Sequence, residues 1–89
     1  MLSLDDLLII MNNIVKELRY RYGESYIEGI KVRQSKYEIF INVGGRRGKI
    51  IIDKNTIKIR VYTGLKGQEI SIRRIIAREI EKYKRLSKQ

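Results

Sequence analysis

The stretch Tyr37-Glu38-Ile39-Phe40-Ile41-Asn42-Val43-Gly44-Gly45-Arg46-Arg47-Gly48-Lys49-Ile50-Ile51-Ile52 decides the fold. Tyr37, Ile39, Ile41 and Val43 alternate with Glu38, Phe40 and Asn42, so one set of side chains is apolar and the other mixed. Strict alternation is the mark of a strand buried on one face. Gly44-Gly45-Arg46-Arg47-Gly48 breaks the pattern, and Ile50-Ile51-Ile52 resumes it as a further strand. Read this way, the glycines and arginines form the flexible tip of a hairpin.

Outward from this hairpin the same period holds over residues 26–62. Ile30-Lys31-Val32-Arg33 alternates apolar and basic, and Gln34-Ser35-Lys36 forms a short turn. Asp53-Lys54-Asn55 predicts a tight turn before a last strand over residues 56–62, with Ile57, Ile59 and Val61 inward. Connections this short join antiparallel neighbours only.

The flanks change to helical period. Leu4, Leu7, Leu8, Met11, Ile14, Val15, Leu18 and Tyr22 recur at spacings of three and four, after Ser3 as N-cap and before Gly23 as stop. Leu2 and Ile9 are expected on the opposite side. A second helix is expected from Ser71 as N-cap, with Ile70 and Ile75 as a hydrophobic staple across it. Its stripe is Ile72, Ile75, Ile76, Ile80, Tyr83 and Leu86, with Arg74, Arg78, Lys82 and Arg85 opposite. The expected fold is therefore α+β: an N-terminal helix, a four-stranded antiparallel β-meander and a C-terminal helix. Both helices cover one face of the sheet, in a single domain over residues 1–89.

Composition narrows the function. The 89 residues contain no Cys, His, Trp or Pro, and 34% are charged. Disulfides, Cys/His zinc sites and imidazole or thiolate catalysis are excluded on residue types alone. No catalytic residue, metal or cofactor is assigned. The 17 Ile, the wealth of Lys, Arg and Glu and the lack of Cys suggest a hot-growing source, archaeal or viral, or an AT-rich genome whose codons give the same bias. Asp5 and Asp6 stand where a secretory signal would carry positive charge, and the longest apolar run spans only residues 7–11. A cytoplasmic location away from membranes is expected.

Charge is segregated. Residues 1–22 and 23–45 each balance three basic against three acidic side chains, whereas residues 46–89 hold fourteen basic and four acidic. The whole net charge of +10 lies in that second half. Such asymmetry is the footprint of a polyanion-binding surface. Alternation places Lys31, Arg33, Phe40, Asn42, Lys49, Ile51, Lys58, Arg60 and Tyr62 on the sheet face away from the helices. Cations there would meet phosphates, and rings would stack on unpaired bases. Arg46, Arg47 and Lys49 at the hairpin tip and Arg73 and Arg74 near the start of the second helix complete the expected site.

Gly64-Leu65-Lys66-Gly67 has the spacing of the GXXG loop that clamps nucleotides in KH domains. Those domains set that loop between two helices, whereas here a strand precedes it. Free amides at the helix start could still hold a phosphate. The order helix, strands, helix is similar to a double-stranded-RNA-binding domain. This chain has one strand more, and Ile72-Arg73-Arg74-Ile75-Ile76-Ala77 lacks that family's Lys-rich signature. No family is assigned.

The sequence thus predicts a small nucleic-acid-binding protein, for DNA or RNA, and allows a homodimer through the open sheet face or the first helix. The alternative is a module that binds an acidic protein partner, such as a viral or mobile-element factor. A metal-independent ribonuclease using Arg, Lys, Tyr and Glu is the lesser alternative. Glu79, inside the second apolar stripe, is read as a paired acid at the core edge rather than a catalyst.

Overall fold

A computed structural model describes residues 1–87. Helix α1 (Leu4–Tyr22) is followed by strands β1 (Ser25–Val32), β2 (Lys36–Val43), β3 (Arg46–Asp53) and β4 (Ile59–Tyr62), then helix α2 (Lys66–Ser87). The sheet is antiparallel in the order β1-β2-β3-β4, the expected meander. Both helices bury their apolar sides against one face of it, where Ile39, Ile41, Ile50 and Ile52 meet Leu7, Ile14, Leu18, Ile72 and Ile76.

Ser3 caps α1 as the sequence implies, its Oγ accepting from the Asp6 N–H at 3.1 Å. Gly23, at φ 86°, ends the helix by donating to the Arg19 carbonyl. The buried arc is rotated from the expected one: Ile10 lies in the core, whereas Leu4 and Leu8 are exposed. The cause is a second covering element. Ile10 turns toward α2, where it lines a cleft with Ile80 and Tyr83. Leu2 is also buried, because it precedes the cap and helical periodicity does not govern it. Its N–H donates to the Lys54 carbonyl and its carbonyl accepts from the Tyr37 hydroxyl, both across the turn end of the sheet.

β1 begins at Ser25 and carries a bulge between Ile27 and Gly29. The extra residue, Glu28, resets the alternation, so Ile27 and Ile30 both face the helices. Val32, expected in the core, is 53% exposed because it ends an edge strand beyond the helices' cover.

The hairpin tip is tight rather than flexible. Only Gly44 and Gly45 form the turn, at φ 58° and 87°, and β3 already starts at Arg46. Two positive φ values suit a two-residue turn whose twist matches the strands. A Cβ on Gly44 would stand 2.5 Å from the Tyr22 carbonyl oxygen, so this turn packs against the end of α1.

β4 is shorter than expected. The Asp53 carboxylate accepts from the Asn55 and Thr56 N–H groups at 2.9 Å each, extending the turn. Ile57 then takes φ 58°, a strained value for a β-branched residue. Its side chain packs on the core, which offsets the strain.

α2 begins five residues earlier than its expected cap. Glu69 holds the entry, its Oε2 accepting from the N–H groups of Thr63 at 2.7 Å and Gly64 at 2.9 Å. Ser71 is therefore inside the helix, and Ile70 is 38% exposed rather than stapled to Ile75. Leu86, assigned to the stripe, is exposed past the end of the sheet. Two polar contacts join the helices: Arg78 donates to both Glu17 carboxylate oxygens at 2.7 Å, and the Tyr83 hydroxyl to Asp6 at 2.6 Å.

Candidate nucleic-acid interface

The helix-free face of the sheet is organised in rows fixed by strand register. Gly29, Phe40, Lys49 and Tyr62 are cross-strand neighbours in one row. On one side runs the row Lys31, Glu38, Ile51 and Arg60, and on the other Tyr26, Asn42 and Arg47. All nine residues expected on this face lie on it or at its rim. Lys58 and Arg60 share a shallow hollow with Lys36, Ile51 and Asp53, and Arg33 donates to Glu38 at the opposite margin.

The cations divide into paired and unpaired. Arg33 is bound to Glu38 at 3.3 Å and Arg47 to Glu28 at 3.6 Å. Away from this face, Arg78 pairs with Glu17 and Arg85 with Glu81. Among the described residues, Lys31, Lys36, Lys49, Lys58, Arg60, Lys66, Arg73 and Arg74 have no carboxylate within 4.0 Å. The Lys31 ammonium lies 5.7 Å from the centre of the Phe40 ring.

Five cations without an ion pair among the described residues, Lys58, Arg60, Lys66, Arg73 and Arg74, converge on the free edge of β4. Between β4 and α2 runs a groove of about 330 Å³ bordered by Lys58, Arg60, Tyr62, Lys66 and Arg73, with Ile59, Val61 and Ile70 as its apolar part and Glu69, held by the Thr63 and Gly64 amides, at one side. A second hollow of about 390 Å³ continues it along α2 past Arg73, Arg74 and Ala77. Lys49, beside Tyr62 in register, carries the positive zone from the groove onto the open face.

Several expectations change here. Arg46 pairs with Val43, whose side chain is buried, so it is on the helix side of the sheet. Its guanidinium comes within 3.6 Å of the place a Cβ on Gly64 would occupy. Arg46 and Arg47 therefore point to opposite faces and form no common basic tip. Arg73 and Arg74 are two turns inside α2 rather than at its start. The Glu69 carboxylate stands at the helix start, where it takes the amides of Thr63 and Gly64 just before α2. Those two N–H groups hold the Glu69 carboxyl below its usual value. Gly67 and Lys66 belong to the helix, which removes the GXXG loop.

Tyr26, Lys36 and Lys66 were absent from the expected site. Tyr26 shares register with Asn42, but the bulge hides this from simple alternation. Lys66 becomes relevant only because α2 starts early. The carboxylates Glu28, Glu38 and Asp53 also share the face, and Asp53 is engaged by its own turn. The N–H groups of Thr56 and Asn55 hold its carboxyl below the usual value, and Arg60 adds to the effect.

Glu79 is half-buried between the helices, near Ile9, Asn13 and Lys82. The paired acid expected there has no cation within 4.0 Å among the described residues. Among the described residues no cluster of three metal-ligating side chains occurs, and no helix is long and apolar enough to cross a membrane. No protein-family model, no curated protein and no solved structure matches this chain.

Proposed function

We propose that this protein binds nucleic acid, DNA or RNA, mainly through its phosphates, along the β4–α2 groove and the adjoining open face of the sheet. One observation carries the reading: Lys49, Lys58, Arg60, Lys66, Arg73 and Arg74 converge without carboxylate partners. Cations retained for surface ion-pair networks would have acids beside them, as Arg78 and Arg85 do. A row of unpaired guanidinium and ammonium groups gains most from a ligand that releases its own counterions on binding.

Titration of a labelled oligonucleotide at several ionic strengths tests this. Log affinity should fall linearly with log salt, each neutralised phosphate adding about −0.9 to the slope on duplex DNA and about −0.7 on a single strand. Absence of binding at low salt would remove the proposal.

A second reading has an observation of its own. The groove combines cations with Ile59 and Ile70 along the free edge of a strand, a setting that also suits an extended acidic peptide. Capture from nuclease-treated lysate separates the two: an acidic protein retained after nucleic acid is removed favours this alternative. A homodimer that joins two open faces would build a longer basic surface and is compatible with either.

A further inference from the structure

The open face differs from the groove in carrying rings as well as charge. Phe40 and Tyr62 share one row, with Lys49 between them on β3. Tyr26 is in the next row, on the strand beside Phe40. Tyr62 is 48% and Tyr26 41% exposed, while Phe40 is half-buried. Gly29 is Phe40's neighbour on β1, and nothing lies within 4 Å of where a Cβ there would be. That side of the ring is consequently open.

The spacing of the rings selects among nucleic acids. Neighbouring strands are about 4.8 Å apart, which puts the backbones carrying Phe40 and Tyr62 about 10 Å apart. Tyr26 is one strand and two residues from the Phe40 position, about 8 Å by the same geometry. Successive bases within one strand of a duplex are only about 3.4 Å apart and cover each other's faces. Bases resting on these rings must therefore be unstacked from one another, as only a single strand permits.

The shape points the same way. A duplex groove is entered by a protruding helix or two-stranded ribbon. Here the hairpin ends in a two-residue turn packed on α1, and its two arginines face opposite ways.

Building on the nucleic-acid reading above, we infer that the ligand is a single strand crossing the sheet transversely, with bases stacked on Tyr62, Phe40 and Tyr26. Lys49 meets the backbone between the first two rings. The Lys31 ammonium, now near Phe40, moves to a phosphate as a base takes its place on the ring. Base faces, unlike base edges, are common to all nucleotides, so binding is tolerant of sequence.

The test compares fluorescein-labelled oligothymidylate, oligouridylate and a mixed-sequence duplex of equal length by fluorescence anisotropy at one low salt concentration. Both single strands should bind more tightly than the duplex. Phe40→Leu and Tyr62→Leu should each weaken single-strand binding about tenfold, within the range seen for loss of one stacked base. Duplex binding should fall by much less than single-strand binding, and Tyr62→Phe should retain the affinity of the parent protein. Circular dichroism melting checks that each variant is folded; Tyr62, at an exposed edge, gives the measurement least sensitive to packing. Equal or tighter binding of the duplex overturns the inference and leaves the general reading standing, as does single-strand affinity unchanged by both Leu substitutions. Failure to bind any of the three probes overturns both.

Discussion

Gly44 and Gly45 look interchangeable in the sequence, but their surroundings separate them. Both have positive φ, and only Gly44 has a backbone oxygen where a Cβ would go. Gly45→Ala should cost about 1 kcal/mol from the left-handed conformation alone. Gly44→Ala meets the Tyr22 carbonyl as well and should cost about 2–3 kcal/mol or more. Urea unfolding of the two variants checks the order. Glu69 offers a test through pH. Its folded-state pKa is lowered by the Thr63 and Gly64 N–H groups. A lowered carboxyl adds stability that is fully present above the unfolded value, 4.5, and is lost as pH falls through the folded one. The melting temperature of the parent protein should therefore fall as pH drops below about 4.5, and Glu69→Gln should start lower at neutral pH and fall less.

At the scale of elements, α2 shows how a helix start is chosen. Ser71 with its flanking isoleucines is a good cap by local rules. Starting at Lys66 adds more than a turn of helix and closes two backbone amides on Glu69, so the earlier start prevails. The side chains record the outcome: Ile76 is fully buried and Ile70 is exposed. Ile76→Val should destabilise by about 0.5–1.5 kcal/mol. Ile70→Val should stay within about 0.5 kcal/mol. Equal costs by chemical denaturation would mean that Ile70 is stapled after all. The two helices are also held by the Glu17–Arg78 pair, whose hydrogen bonds, with a smaller contribution from charge, lower the Glu17 pKa and raise that of Arg78. This pair explains why Arg78, basic by sequence, is not free for a ligand.

Across the whole molecule, the positive charge is spread over several surfaces, and a run of it without ion-pair partners among the described residues lies along the β4 edge. Lys58→Ala/Arg60→Ala/Arg73→Ala should weaken oligonucleotide binding and reduce the salt slope by about 2 on a single strand, at about 0.7 per lost phosphate contact. Removing two paired cations, Arg78→Ala/Arg85→Ala, should leave the slope nearly unchanged. Equal losses in both variants would indicate that net charge alone drives association and that the edge is not a site. Binding isotherms at several salt concentrations provide the comparison.

The two-residue period of Tyr37 through Val43 and the three-to-four spacing in α1 were enough for element order, the antiparallel meander and the helix-covered face. These depend on local geometry and on burial of one apolar side, which neighbouring residues encode. Most of the open face was legible for the same reason. The bulge at Glu28, the burial of Ile10, the early start of α2 and the opposed directions of Arg46 and Arg47 were not. The first two follow from partners across the fold, β2 against β1 and α2 against α1; the start of α2 turns on Glu69 reaching back to Thr63 and Gly64, and the arginines on a turn of only two residues. Charge segregation was visible in the sequence, but pairing was not, because an ion pair such as Glu17 with Arg78 forms only when folding brings its members within a few ångströms. The sequence by itself determined that this protein is basic and one-faced; the tertiary structure alone decided which cations remained without an acid and gathered five of them beside β4.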